Sequence, residues 1–483
     1  MTNAVGTPRS LAQITFALVG FLFLLELTSG ILQGYYIPLI SDLVGHLDIT
    51  DADFNWFEAA QLLLSALAVP ILAKLGDMFG HKRMLLVSTA LTAAASWWLV
   101  IAGDFTTFLI AWALQGFYSV WLPLEVALIF DRGRRSKTGV SQTRRAAGLL
   151  VIALEVGAIA GALGGGALFA GVFAGSVPLT LAVPAAVVTL VFFAILFGVP
   201  ESERTAGRSL DVVGFVLLSF ALLLTTSSLT FLRINGPGTW WVWVVMAAGL
   251  LAFLPFGRWV LGKDDPAIDL RALASPTMWP VQVTAGLFGI SVLGAQIPLS
   301  TFAGTDPEIA GYGLGLSSGM RSIVIGIYLL SLIAGAALFA IFSRRLSPRI
   351  ALIVATALVT VGYFALIPFH DDLAQVLTCI CIAGAGSGAL VAALPAAAAA
   401  AAPLGQTGIA TGLTNTTKTV GGAFASATFG IALATGVTAG VGTAASLSGY
   451  YTVWIVCGAS ALIATVLLFF VPKLAFADPV DVE

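Results

Sequence analysis

Six ionisable residues fall inside, or at the edge of, stretches that are otherwise apolar. Glu26, Glu58, Glu125 and Glu155 stand in the amino-terminal half, and Arg321 and Lys418 in the carboxyl-terminal half. A charge at membrane depth costs ~2.5 kcal/mol or more on insertion scales, so such residues face a cavity or a partner and become candidates for proton or ion handling. Glu26 leads, because its helical face continues through Gly30 and Gln33 with Tyr35 and Tyr36 alongside, a polar and aromatic stripe suited to a cationic or amphipathic guest. A protonated Glu26 hydrogen-bonded between helices is the alternative. Glu125 follows Pro123 and shares a face with Gln115, Tyr118 and Leu122. Glu155 lies opposite a glycine stripe on its own helix, and Glu58 is the acid nearest a helix end. Arg321 also fits a side chain reaching out to the interface, whereas Lys418, beside Asn415, Thr416 and Thr417, sits deeper. Opposite charges facing across a cavity form a pair that substrate or proton breaks, or they grip a zwitterion or anion. Gln282, Gln296 and Asn415 are candidate hydrogen-bonding neighbours.

The elements that carry these residues are membrane helices. With 59% hydrophobic and 10% charged residues, the chain has too little polar surface to cover a soluble globule of its size. The first apolar segment, Leu11 to Ile40, is long and lacks a small-residue cleavage site at signal-peptide distance, so it is expected to stay as a spanning helix. Further spans are expected near residues 54–75, 84–103, 106–130, 146–173, 177–198, 211–232, 240–261, 277–302, 319–342, 350–369, 373–398, 406–434 and 449–472. That makes about fourteen segments of the ~20 residues a bilayer requires.

The basic residues then sort by side. Lys and Arg number 22 in 483 residues, and all but Arg233, Arg321 and Lys418 fall on one set of connections, from Arg9 and Lys74 through Arg132 and Arg204 to Arg344 and Lys473. The positive-inside rule places both termini in the cytoplasm of a multi-pass cell-membrane protein. A net charge of −2 and short juxtamembrane basic clusters give no reason to expect a nucleic-acid partner. Cys379, Cys381 and Cys457 sit in apolar segments without metal-ligand spacing, so neither a disulfide framework nor a metal site is expected.

Two connections on the basic side divide the chain, Pro200 to Asp211 and Lys263 to Pro276. They define an amino-terminal bundle of six helices (1–205), an inserted two-helix hairpin (206–272) and a carboxyl-terminal bundle of six (273–483). A duplicated arrangement of this kind places a substrate site at the midplane between the halves. The alanine run Ala396 to Ala402 reads as close packing at a helix end.

Short motifs add a resemblance. The link between the second and third spans reads Ala73-Lys74-Leu75-Gly76-Asp77-Met78-Phe79-Gly80-His81-Lys82-Arg83 and resembles motif A of the major facilitator superfamily, matching at Asp77, Gly80, Lys82 and Arg83. Asp211-Val212-Val213-Gly214 and Pro266-Ala267-Ile268-Asp269-Leu270 are similar to segments that flank the hairpin in the fourteen-helix drug:proton antiporter branch of that superfamily. Gly157, Gly161, Gly164 and Gly165 resemble motif C, with Ala162 where the family has a proline, and Trp112 stands where motif B has an arginine tied to proton coupling.

The resemblance implies an all-α integral membrane fold of two six-helix bundles plus a hairpin. It further implies a conformational latch at Asp77, Gly80, Lys82 and Arg83, with Asp77 against a helix end of the other half and the bases bridging to acids there. Motif C would form a packing contact between domains. The expected function is proton-coupled export of hydrophobic or cationic small organic molecules. Its substrate and proton residues would come from Glu26, Gln33, Tyr36, Gln115, Tyr118, Glu125, Glu155, Arg321, Asn415 and Lys418. Uptake of an organic acid or nutrient gripped by Lys418 or Arg321 stays open beside it, as does a membrane scaffold without gradient coupling. Protons, a small organic substrate and the lipid bilayer are the expected partners, for a monomer that needs no cofactor. Gly384-x-Gly386-x-Gly388 lies in a span without a strand, no Walker sequence occurs, and His46, His81 and His370 fall in or beside loops, so an enzyme is not expected.

Overall fold

Polar caps and breaks, rather than changes in hydropathy, mark where one helix gives way to the next. The computed structural model describes residues 16–133, 139–201, 210–276, 278–342, 348–401, 407–435 and 444–470. Of the basic residues discussed above, Arg9, Arg134, Arg135, Lys137, Arg204, Arg208, Arg344, Arg345 and Lys473 lie outside the described residues, as do Ala402 and Gln406. No strand occurs among the described residues.

The first bundle runs α1 (Phe16–Tyr35), α2 (Ile40–Leu47), α3 (Asp51–Phe79), α4 (His81–Ile101), α5 (Phe105–Gln115), α6 (Trp121–Gly133), α7 (Gly139–Ala167) and α8 (Val177–Gly198). A hairpin follows, α9 (Val212–Asn235) returning through α10 (Trp240–Leu251) and α11 (Phe253–Leu261), and then the one-turn α12 (Leu270–Leu273). The second bundle holds α13 (Trp279–Val292), α14 (Gln296–Gly304), the short α15 (Pro307–Ala310), α16 (Ser318–Phe342), α17 (Pro348–Ala365), α18 (Leu373–Ala401), α19 (Thr407–Ala434) and α20 (Leu447–Phe470).

Local chemistry explains the starts and breaks. Thr50 and Asp53 form a capping box on α3, the Thr50 hydroxyl accepting from the Asp53 amide at 3.3 Å and the Thr50 amide donating to Asp53 Oδ2 at 2.9 Å. Asp104 caps α5 by accepting from the Thr106 and Thr107 amides. Gly80, with φ +106°, turns the chain between α3 and α4 in a conformation that favours glycine. Pro38 sits in a 3₁₀ turn, Ile37–Leu39, that separates α1 from α2, and a second 3₁₀ turn, Gly116–Val120, separates α5 from α6. Irregular backbone at this depth is tolerated where protein or a cavity surrounds it.

Twelve helical stretches among the described residues are long and apolar enough to cross a membrane, taking α1 with α2, α5 with α6, α10 with α11 and α13 with α14 as continuous. Sequence analysis expects about fourteen. The two that fall short are α17, whose apolar run covers only Arg349–Ala365, and α19, which is diluted by threonines, glycines and Lys418. Both are nonetheless packed among the others, α17 against α18 and α20, and α19 against α3 and α13.

Buried apolar side chains form one cluster in each bundle. A third cluster joins Leu62, Leu63 and Leu67 of α3 to Leu218 and Leu222 of α9, Phe256 and Val260 of α11, and Ala423 of α19. The hairpin thus covers a seam at which α3 of the first bundle meets α19 of the second.

Candidate functional site

Two adjoining cavities lie where the bundles meet, and breaks in the helices supply the residues between them. The first is a narrow, partly open cleft of about 50 Å³ lined by Gln33, Tyr36, Glu58, Gln61, Trp112 and Tyr118 from the first bundle and by Leu293, Gln296 and Ile297 from the second. The other, about 30 Å³, lies within the second bundle and is walled by Tyr328, Leu329, Tyr363 and Trp454. Ile37, from the 3₁₀ turn after α1, and Gln296, the first residue of α14, line both.

A hydrogen-bonded net stiffens the polar lobe. Gln115 Nε2 donates to the Tyr36 hydroxyl at 2.8 Å and to Ser96 Oγ at 3.0 Å. Gln61 Nε2 donates to the Trp112 carbonyl at 3.2 Å, and the Ser65 hydroxyl donates to the Gly116 carbonyl at 3.0 Å, tying α3 to the 3₁₀ turn. Gln33 points into the open space and donates to Ser29 Oγ at 3.4 Å. Gln115 is therefore a support beneath the wall and not part of it.

The acids separate into distinct settings. Glu26 and Glu125, 1% and 0% exposed, face one another between α1 and α6 and line neither lobe. Beyond their contact with one another, Glu26 Oε2 and both Glu125 carboxyl oxygens have no hydrogen-bond partner among the described residues. Glu58 is the acid that lines the cavity, beside Trp112. From the sequence Glu58 is the acid nearest a helix end and outside the expected site, but α3 begins at Asp51, two turns earlier, and Asn55, Glu58 and Gln61 follow at three-residue spacing on one face. That spacing was the available signal. Glu155 on α7 and Lys418 on α19 lie within each other's field across the seam but form no ion pair. Asn415 is one turn from Lys418, and the same stretch of α19 is held by Gln282, which donates to Thr414 Oγ1 at 2.8 Å and accepts from Thr417 Oγ1 at 2.9 Å. Glu155, Asn415 and Lys418 line neither lobe.

Arg321 does not reach out to the interface. It is 3% exposed, and its Nη2 lies 2.5 Å from Asp42 Oδ2 of α2, joining the two bundles at one end of the molecule. Asp51 lies within the field of the same guanidinium, and the Ser300 hydroxyl donates to the Ile37 carbonyl nearby.

At the other end the motif A residues differ from expectation. The Lys82 amide donates to Glu201 Oε1 at 3.0 Å, Lys82 Nζ donates to the Leu196 carbonyl at 2.8 Å, and Arg83 Nε lies 3.6 Å from Glu201 Oε2, so both bases hold the end of their own bundle's α8 and, among the described residues, bridge to no acid of the other half. Asp77 pairs with His81, one turn on, at 3.3 Å, and at Gly80 a Cβ would meet the Glu201 carboxylate. The packing of α8 on α4 places Glu201, just beyond α8, at this turn within reach of both.

Lys74 makes the longer reach. Its ammonium contacts the Asp265 carboxylate at 3.0 Å and the carbonyls of Asp265 and Pro266 at 3.0 and 3.1 Å. The two segments that flank the hairpin meet here as well, because Asp211 accepts from the Gly214 amide, the Trp259 indole and the Ala267 amide. Burial acts to raise the Asp211 carboxyl, but those three donors and the Lys74 charge hold it below its usual range.

The glycine stripe on α7 packs mainly inside its own bundle. Gly157, Gly161 and Gly165 lie against the α1 backbone at Leu27, Ile31 and Tyr35, while Gly166 meets Ser318 and Ser322 of α16. Gly164 faces open space and is not a packing position, because four-residue spacing follows the α1 contact where the expected three-residue step to 164 does not.

Comparisons with known proteins agree with this architecture. The model of the Major Facilitator Superfamily matches residues 22–426. The chain is 25% identical over 401 residues to the tetracenomycin C resistance and export protein of Streptomyces glaucescens, covering 80% of this chain and 70% of that one. It is 27% identical over 424 residues to the uncharacterised MFS-type transporter MT1926 of Mycobacterium tuberculosis, covering 82% of this chain but spanning only 56% of the relative. Among solved structures, the peptide transporter POT in complex with sulfate superposes with a TM-score of 0.68 over 97% of each chain at 16% identity, a likeness of fold. These proteins are transporters and not enzymes, and with most of its length matched by the family model the chain is a member of the Major Facilitator Superfamily.

Proposed function

We propose that this transporter is a proton-coupled exporter of hydrophobic or cationic small organic molecules that works by alternating access. The observation that carries the reading is the pair of cavities between the bundles, polar and acidic on one side and aromatic on the other. A site shared by two bundles is opened to either face when one rocks against the other. Export by the tetracenomycin relative supports the direction. Glu26 and Glu125, buried together without a described cation between them, are the proposed proton carriers in place of the missing motif B arginine. Gln33, Tyr36 and Tyr118 meet the substrate, and Gln115 holds Tyr36 in place.

On this reading α17 and α19 also cross, which makes fourteen spans in three units: 1–205, the hairpin 206–272, and 273–483. Both termini then lie in the cytoplasm of a monomer in the cell membrane, with the Lys74 end inside and the Asp42 end outside. Import of an organic acid would need a base in the cavity, and neither Lys418 nor Arg321 lines it. The test is accumulation of ethidium in cells making equal amounts of the protein or its Glu26→Gln variant, with and without a protonophore. Lower accumulation that needs both Glu26 and the gradient is expected. Equal accumulation under every condition rejects this reading.

A further inference from the structure

We propose that Glu58 is the charge-selecting residue of the cavity, taking the cationic centre of an amphipathic organic guest whose apolar body fills the lobe of Tyr328, Tyr363 and Trp454. The proposal rests on the transport reading above and divides labour among the acids, with substrate charge at Glu58 and protons at Glu26 and Glu125.

Three observations lead there. Glu58 is the one residue with a formal charge among the described residues lining the two lobes, so the cavity carries a single negative site and no positive one. Glu58 is partly exposed, with the Trp112 indole beside its carboxyl, and enters no ion pair among the described residues, so no protein cation cancels its charge before a guest arrives. Its neighbours suit a cation, since Tyr36, Trp112 and Tyr118 line the same lobe, with the Tyr36 and Trp112 ring centroids 5.0 Å apart. Ring faces beside a carboxylate attract an organic cation that is too bulky for tight hydration.

The geometry also sets the guest's shape. The polar lobe and the aromatic lobe meet only at Ile37 and Gln296. A compact ion held at Glu58 would leave the second lobe empty. A guest with its charge at one end and an aromatic or aliphatic body at the other reaches from Glu58 toward Tyr328, Tyr363 and Trp454 as these narrow lobes widen around it, and the buried apolar area adds to its affinity. Glu26 cannot take this part, because it and Glu125 are sealed from both lobes.

The experiment uses the purified full-length protein in lipid nanodiscs, without a gradient, and titrates it with tetraphenylphosphonium and with its like-shaped anion tetraphenylborate. The wild type is expected to bind the cation at least about tenfold more tightly than the anion. Glu58→Gln should weaken cation binding by about tenfold and leave the anion unchanged. Glu58→Asp should restore most of the cation affinity, which a merely structural role would not do. Asp104→Asn, which removes an exposed acid that lines neither lobe, should bind the cation within about twofold of wild type. Equal binding of both ions by the wild type, unchanged cation binding in Glu58→Gln, or an equal loss in Asp104→Asn each overturns the proposal. Glu58-dependent binding without transport would leave the site standing and remove the transport reading instead.

Discussion

Arg321 of the second bundle and Asp42 of the first approach to 2.5 Å, the guanidinium almost fully buried and the carboxylate about a quarter exposed. The pair joins the two bundles at one end of the molecule, and the proposed alternating access requires that it break. Removing one partner of a fully buried pair costs ~3–5 kcal/mol, reduced here to ~1–3 kcal/mol by the exposure of Asp42. Arg321→Gln and Asp42→Asn should each lower the thermal unfolding temperature, and the double variant should lower it by less than the sum. Additive effects would show that the two side chains do not act as a pair.

Lys74 holds the connection between the hairpin and the second bundle through one carboxylate and two carbonyls. Lys74→Gln should speed amide hydrogen exchange across residues 264–267 several-fold while α9 and α11 keep their protection. Unchanged exchange there would mean that the Asp211 contacts alone fix the linker.

Asp211 gives a pH-dependent contribution. Its carboxyl is held below the usual range in the folded protein, so the stabilisation is present above the unfolded carboxylate value of ~3.9 and is lost as pH falls through the lower folded value. The difference in unfolding temperature between wild type and Asp211→Asn should be full at pH 7 and shrink as pH falls below about 4. A difference that stays constant down to pH 3 would contradict the assignment.

Packing of α7 on α1 supplies a further contrast. A Cβ at Gly161 would lie 2.6 Å from the Ile31 carbonyl oxygen, whereas one at Gly164 meets nothing within 4 Å. Gly161→Val should destabilise the protein by ~1–3 kcal/mol and reduce its yield. Gly164→Ala should leave the unfolding temperature within about a degree, and a matching loss in both would refute the packing described.

Membrane class and helical order are legible in the sequence because they follow from composition and hydropathy, which need no tertiary information. The cavity is less so. Ranking Glu26 above Glu58 follows from apolar stretches alone, which hide that Thr50 and Asp53 start α3 early enough to carry Glu58 inward. The second lobe is invisible to any periodicity, since Gln296 reaches it only through the break between α13 and α14. The partners of Lys82 and Arg83 are unreadable for a related reason, because Glu201 is brought to them by the packing of α8 on α4.

Proton coupling is tested most directly in proteoliposomes holding an acidic interior and the trapped pH dye pyranine. Adding tetraphenylphosphonium outside should discharge the pH gradient faster with wild-type protein than in protein-free vesicles, and a variant carrying both Glu26→Gln and Glu125→Gln should abolish the difference. Wild-type traces that match protein-free vesicles, or a variant that discharges the gradient like wild type, would contradict proton exchange through the Glu26 and Glu125 pair.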